Sequence, residues 1–226
     1  MNLQDIKGSY DLIVSLGSAC NPTLQLKRLN LRNFTSSPLD WSYSPFLVDV
    51  NRLLKNKFDG FMELENMRLI DDSGKYAYFN DKPLKLPHQI IYVPTASYVI
   101  QDIHYNIFSA HDLPIISNKH WTTTYPKFKR TLNYKINRFM KRLINSKSIL
   151  FIRWGANYSE TVELRSILSQ ITSANFKIII INPTEGLEAP SELEWGIDKV
   201  CTINAPIDPN SISTWDYVLN GVTLNH

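Results

Sequence analysis

Short, continuous apolar runs are the first pattern along the chain. Each is only a few residues long and is followed by polar or turn-forming residues. Such runs are typical of strands buried on both faces of a sheet. They occur at 12–14, 149–153, 176–181 and 200–203.

A second pattern places apolar residues three and four positions apart, which predicts amphipathic helices. The longest, from Pro126 to about Asn145, carries one apolar stripe opposite basic residues. Asn21 and Ser159 are expected to cap two of the other helices, with Pro22 in the first helical turn. These other helices are predicted at 22–32, 44–58, 159–171 and 213–219.

Strands and helices alternate most regularly in the last third of the chain. This order indicates an α/β fold with a mostly parallel central sheet and helices on both faces, in three layers. Residues 59–125 follow neither period and are expected to form an irregular, insertion-like region, with a small hairpin near 76–79. Because no linker or repeat is visible, the sequence predicts a single domain over 1–226.

Composition narrows the class of protein. The chain has 226 residues, of which 43% are hydrophobic and 20% charged, as in an ordinary globular protein. No apolar run approaches the roughly 20 residues that span a bilayer, and the first residues lack a secretory signal. Cys20 and Cys201 are too far apart for a metal-ligand motif or a disulfide framework. We therefore expect a cytoplasmic protein without a metal or cofactor.

The turn after the first apolar run is the strongest candidate for chemistry. Gly17 and Ser18 form its exit, and Cys20 and Asn21 lead into a helix. Helix-terminal amides at this position lower a thiol pKa and also bind phosphate. Cys20 is therefore a candidate nucleophile, although a free cysteine is also commonly a small buried hydrophobic residue.

Charge is distributed unevenly. Between Leu113 and Ser159 there are ten lysines and arginines and no Asp or Glu. The run is typical of a solvated helix face, or it marks an anionic substrate or acidic surface nearby. Lys129 lies at the edge of the apolar stripe, where it either snorkels or points at an anion, and Arg130 follows it. Nucleic acid is not expected as a partner, because no glycine- or aromatic-based binding motif accompanies the run.

Ligands of open parallel sheets bind outside the carboxyl ends of the strands. The sequence places Cys20, His111, Asp112 and Arg153 at such strand ends. Together they provide a thiolate, a base that takes and returns its proton, and a carboxylate that orients the base. The alternative is that His111 and Asp112 merely end a strand, with Asp112 capping a turn.

Arg153 ends a buried strand, where a guanidinium needs a partner. Either Asp40 or a ligand anion would supply it. Asp40, beside Trp41, is equally explained as a structural cap.

Several segments resemble a bacterial family described as papain-like cysteine peptidases. The resemblance covers most of residues 10–155. It implies that Cys20 is the nucleophile and His111 the base. The matching segments are Asp11 to Cys20, Leu26 to Arg32, Ser37 to Trp41, Phe108 to Asp112, Lys127 to Arg130, and Arg153.

Three functions are therefore expected. The first is a thiol-dependent hydrolase or acyl transferase acting on an anionic small molecule, glycan or peptide. The second is a transferase of bacterial surface polysaccharide, with a nucleotide-sugar or phosphate donor. The third is a non-catalytic module for an acidic partner. The candidate substrate- or anion-binding residues are Ser18, Asn21, Asp40, Trp41, Lys129, Arg130 and Arg153.

Overall fold

The computed structural model describes residues 1–32, 34, 36–79 and 95–225. Its strands are β1 (Gly8–Tyr10), β2 (Leu12–Ser15), β3 (Ser42–Tyr43), β4 (Met67–Ala77), β5 (Ala96–Asp102), β6 (Ile107–Ser109), β7 (Ser148–Trp154), β8 (Asn175–Pro183), β9 (Ser191–Leu193), β10 (Val200–Ala205) and β11 (Val222–Leu224). Its α-helices are α1 (Leu3–Ile6), α2 (Asn21–Arg28), α3 (Leu47–Lys55), α4 (Tyr125–Asn145), α5 (Tyr158–Ile171) and α6 (Ile212–Val218).

The central sheet has the strand order β2-β7-β8-β10-β9. Strands β2, β7, β8 and β10 run parallel to their neighbours, and the edge strand β9 is antiparallel. Helix α5 connects β7 to β8, as a parallel crossover requires. The predicted α/β fold with a mostly parallel sheet is confirmed.

Successive residues of the central strands belong to two separate apolar clusters. In β7, Ile149 and Phe151 join one cluster, together with residues of α3, α4 and α5. Leu150 and Ile152 join the other, together with residues of α2 and α6. Because side chains alternate along a strand, both faces of β7 are buried. The arrangement in three layers stays a prediction.

The region expected to be irregular contains a second sheet, so that prediction was wrong. Strands β3, β6, β5 and β4 pair antiparallel in this order. Strand β4 is mostly exposed and its register shifts at Asp71, so its sequence lacks a strict apolar alternation. Part of the predicted region, 80–94, lies outside the described residues. The single domain over 1–226 stays a prediction.

Two predicted N-caps differ from the observed ones, and α3 begins at Leu47 rather than at Ser44. The N-cap of α2 is Cys20, with Asn21 already in the first turn. The N-cap of α5 is Asn157, whose side chain accepts from the Glu160 amide while the Glu160 carboxylate accepts from the Asn157 amide. This reciprocal pair is a capping box, and it displaces Ser159 from the predicted capping position.

The amino-terminal and carboxy-terminal strands meet in a two-stranded parallel sheet, β1-β11. The longest described helix, α4, has 21 residues and is amphipathic. None of the helices in the described part of the chain combines the length and apolarity needed to cross a membrane.

Candidate functional site

The turn that carries Cys20 is held by Ser44. Gly17 and Ser18 both have φ of 85°, a region that favours glycine. The Ser18 amide donates to Ser44 Oγ at 3.0 Å, and the Ser44 amide donates to the Ser18 carbonyl at 3.0 Å. A Cβ on Gly17 would lie 2.6 Å from Ser44 Oγ. The close approach of Ser44 therefore requires glycine at position 17.

The Cys20 thiol is half-buried at the start of α2. Burial raises the pKa of this thiol above its ordinary value, and its own backbone hydrogen bond opposes the rise only partly. The expected net lowering of this pKa is therefore contradicted, because desolvation has a larger effect than the backbone amide. Cys201 is fully buried in β10, and burial raises its pKa to about 12.

Arg153 is fully buried and bonded to the same turn. Its guanidinium donates to the Leu16 carbonyl at 3.1 Å, to Ser44 Oγ at 2.9 Å and to the Ser44 carbonyl at 2.6 Å. Nε donates to the Gly155 carbonyl at 3.1 Å. Desolvation lowers the pKa of Arg153 to about 10. The proposed pairing with Asp40 was wrong, and Arg153 instead braces the loop that holds Cys20.

Asp40 forms an ion pair with Arg32 rather than with Arg153. Arg32 binds it through two hydrogen bonds, and both side chains are buried. Thr23 Oγ1 of α2 donates to the same carboxylate at 2.9 Å, and the Ser37 amide donates to it as well. A buried carboxylate with these partners is satisfied by the protein. Asp40 therefore joins α2 to the loop before β3.

The His111 ring is fixed by one hydrogen bond and by aromatic contacts. Its Nδ1 lies 2.7 Å from the Ala77 carbonyl oxygen at the end of β4. The ring stacks on Phe79, with centroids 4.2 Å apart, and meets Trp41 edge-on at 6.5 Å. A carbonyl oxygen only accepts, so Nδ1 carries the proton and Nε2 of the neutral ring is an acceptor.

Asp112 does not orient His111, contrary to the prediction. Its carboxylate accepts from Ser109 Oγ at 2.8 Å and from Lys135 Nζ at 3.3 Å. The Ala77 carbonyl occupies the orienting position at Nδ1 instead. The predicted placement of His111 and Asp112 at a strand end of the parallel sheet was also wrong, since both follow β6 of the antiparallel sheet.

Trp41 stands between the Cys20 helix and the His111 sheet. Lys27 of α2 lies over its indole at 4.6 Å, and Phe79 meets it at 4.9 Å. Lys27 follows Cys20 by seven residues, so the two lie on one face of α2, about 10 Å apart along its axis. No hydrogen bond joins Cys20 Sγ to the His111 ring within the described ranges.

Three predicted anion-binding residues have other surroundings. Lys129 pairs with Glu63 at 2.8 Å and donates to the Phe61 carbonyl at 2.6 Å. Arg130 is exposed on α4. Asn21 donates to Asn210 Oδ1 at 2.7 Å on the surface. These residues share no partner in the part of the chain that the structure describes, so the described contacts do not assemble them into one site.

A cavity of about 690 Å³ adjoins Trp41 and Asp112. Its lining includes Lys27, Lys127 and Lys135, which the sequence reasoning did not select. Lys127, Thr131 and Lys135 are four residues apart and share one face of α4. This spacing is the sequence signal that identifies them. No group of three or more potential metal-ligating side chains occurs among the described residues.

Comparison with known proteins places the chain in a family. The family model described as "putative papain-like cysteine peptidase" matches residues 11–186. An uncharacterized protein of Acanthamoeba polyphaga mimivirus is 31% identical over 217 residues, which cover 90% of this chain and 92% of that protein. No solved structure matches the chain. The extent of both matches shows that the chain belongs to this cysteine peptidase-like family.

Proposed function

We propose that this protein is a thiol-dependent hydrolase or acyl transferase, with Cys20 as nucleophile and His111 as general base. The observation that carries the proposal is the 2.7 Å contact between His111 Nδ1 and the Ala77 carbonyl. It leaves Nε2 with a lone pair, which is the tautomer that a proton acceptor needs. The turn of Cys20, between a buried strand and a helix, is the usual setting of a nucleophile.

The state of the resting thiol determines the type of mechanism. Because burial raises the pKa of Cys20, the thiol is protonated at neutral pH. His111 Nε2 therefore takes the Sγ proton as Sγ bonds to the acyl carbon of the substrate. The proton then passes to the leaving group as its bond to the acyl carbon breaks. Water or a second nucleophile finally gives its proton to His111 Nε2 as it attacks the thioester, and the acyl group leaves Sγ, which takes this proton back.

Substrate binding has to bring Sγ and Nε2 together, because no hydrogen bond joins them in the described residues. Catalytic hydrogen bonds often tighten only in the substrate complex. Cys20 provides no side-chain cap to α2. The first-turn amides of this helix can therefore stabilise the developing oxyanion.

The two other functions considered from the sequence have less support. A polysaccharide transferase would hold its donor with Arg153, Lys129 and Arg130. Arg153 is bonded to the protein backbone, and Lys129 is paired with Glu63. A non-catalytic module would not explain the orientation of His111.

Hydrolysis of 4-nitrophenyl acetate tests the roles of both residues. We expect Cys20→Ala to abolish the protein-dependent rate and His111→Ala to lower it by about 10²-fold or more. His104→Ala, on an exposed turn of the same sheet, is the control and is expected to leave the rate unchanged. A rate that persists in Cys20→Ala would exclude the proposed nucleophile.

The pH dependence of Cys20 alkylation tests the resting state of the thiol. In a Cys201→Ala background, the iodoacetamide reaction should rise with a midpoint above 9.0, the ordinary value for the thiol pKa, because only the thiolate reacts. In urea-unfolded protein the midpoint should return to the ordinary value. A midpoint well below it in the folded protein would indicate a thiolate–imidazolium pair and contradict the general-base route.

A further inference from the structure

The cavity beside Trp41 has the dimensions of a small-molecule site. Its volume of about 690 Å³ lies within the usual range of roughly 300–1,000 Å³ for ligand pockets. One side is the first three turns of α4, and a second side comes from residues next to the ends of β4 and β5. Trp41 and Lys27 close a third side.

The charged groups in this cavity are mainly cationic. Lys27, Lys127 and Lys135 face a single carboxylate among the described lining residues, that of Asp112. Asp112 is bound to Lys135 at 3.3 Å, and Lys127 has no ion-pair partner within the described ranges. No arginine is among the described lining residues. Separate ammonium groups bind the several oxygens of a phosphate as point charges.

A buried hydroxyl points to the same ligand chemistry. Thr124 lines the cavity, and its Oγ1 is buried with no hydrogen-bond partner in the described structure. Such groups normally find a partner. Thr124 also precedes the first turn of α4, which contains no acidic residue. Rotation of this side chain about χ1 would turn Oγ1 towards the cavity, where a phosphate oxygen can accept from it.

The remaining lining is apolar and aromatic. Trp41 and Phe79 present rings 4.9 Å apart at one end. Phe128 and Leu132 of α4 provide an aliphatic and aromatic wall. Phe79 is 47% exposed, so a ligand can contact its ring. Flat organic groups are held by rings of this kind.

We propose that this cavity binds a phosphorylated small molecule with a flat, apolar body, its phosphate beside Lys127, Lys135 and Thr124 and its body against Trp41 and Phe79. The inference does not depend on Cys20, which is not among the described lining residues of the cavity. The proposed phosphate-binding residues are therefore Lys127, Lys135 and Thr124, which line one cavity. They take the place of the predicted residues Lys129, Arg130 and Arg153.

Calorimetric titration with 1-naphthyl phosphate, 1-naphthol and inorganic phosphate tests the proposal. We expect 1-naphthyl phosphate to bind more tightly than either of the other two, with an affinity that falls as salt is added. If 1-naphthol binds equally well, the site does not select an anion. If inorganic phosphate binds equally well, the apolar wall plays no part. Either result, or no binding at all, would overturn the proposal.

Two variants that each remove one positive charge from α4 test where the phosphate binds. Lys127→Gln is expected to weaken 1-naphthyl phosphate binding about fivefold, as for the loss of one partly solvated charge contact. Arg130→Gln removes an equal charge from the same helix outside the cavity and is expected to change affinity less than about twofold. Equal losses in the two variants would show attraction to the basic helix as a whole and contradict a site in the cavity.

The Asp112→Asn variant gives a result that structural damage would not mimic. It removes the single described carboxylate of the cavity lining and releases Lys135, while the amide oxygen can still accept from Ser109. We expect 1-naphthyl phosphate to bind several-fold more tightly, although loss of the Lys135 ion pair lowers the thermal midpoint of the unliganded protein. Unchanged or weaker binding would contradict the proposed position of the phosphate.

Discussion

Residue by residue, the turn of Cys20 depends on side chains far from it in sequence. Ser44 bonds to Ser18 on one side and accepts from Arg153 on the other. Arg153 has no carboxylate partner in the described structure. Its buried guanidinium instead donates to four oxygens, three from backbone carbonyls and one from a hydroxyl. A network of this kind is rigid because a missing partner is costly.

The substitution Gly17→Ala tests how tightly this turn is packed. A Cβ there meets Ser44 Oγ at 2.6 Å and also strains a φ of 85°. We expect a loss of about 2–4 kcal/mol in the free energy of unfolding, measured by urea denaturation. Gly186→Ala is the control, since its φ is 77° but nothing lies within 4 Å. Its loss should be about 1 kcal/mol. Equal losses would show that Ser44 yields easily.

At the level of elements, local patterns predicted most of the parallel sheet and the long helix. The apolar runs of β2, β7, β8 and β10 lie where the sequence indicated, because strands buried on both faces must be apolar throughout. The second sheet was missed because β4 is mostly exposed and irregular in register. The surroundings of the candidate site residues were predicted only in part. The carbonyl that orients His111 belongs to Ala77, and a backbone oxygen leaves no signature in the sequence.

At the start of α5, the contributions of the observed N-cap, Asn157, and the predicted one, Ser159, can be compared directly. Asn157→Ala should lower the free energy of unfolding by about 1 kcal/mol, because it leaves the Glu160 amide without its acceptor. Ser159→Ala removes only an exposed hydroxyl bound to Asn157 Oδ1, so its effect should be within about 0.5 kcal/mol. Chemical denaturation of the two variants measures the difference. A larger loss from Ser159→Ala would restore the predicted cap.

Across the whole molecule, one carboxylate joins three distant segments. Asp11 accepts from the amides of Lys147 and Ser148, at 2.8 and 3.0 Å, and from Asn225 Nδ2 at 2.8 Å. The hydrogen bond from Asn225 is the first cause of the lowered pKa of Asp11, followed by the two backbone amides. The same residue thereby ties the entry of β2 to the entry of β7 and to the end of the described chain.

Protonation of Asp11 in acid should weaken the hydrogen bonds that its carboxylate accepts. The folded-state pKa of Asp11 is below its ordinary value of 3.8, so its contribution to stability is complete above that pH and is lost as pH falls through the lowered pKa. Wild type should therefore be more stable than Asp11→Asn at pH 6, and the difference should shrink below about pH 4. Thermal unfolding of both proteins, from about pH 2.5 to about pH 6, measures this difference. A constant difference over this range would show that the Asp11 charge is not involved.

The number of thiols that react with a reagent shows whether the central sheet is closed or open. Cys201 lies in β10 opposite Ile179 of β8, with no exposed surface and a pKa raised to about 12. A thiol reagent thus has one target, Cys20, while the central sheet is closed, and two once β10 separates from β8. The rate at which a second label is incorporated therefore measures how fast the sheet opens, and no dye or engineered residue is needed.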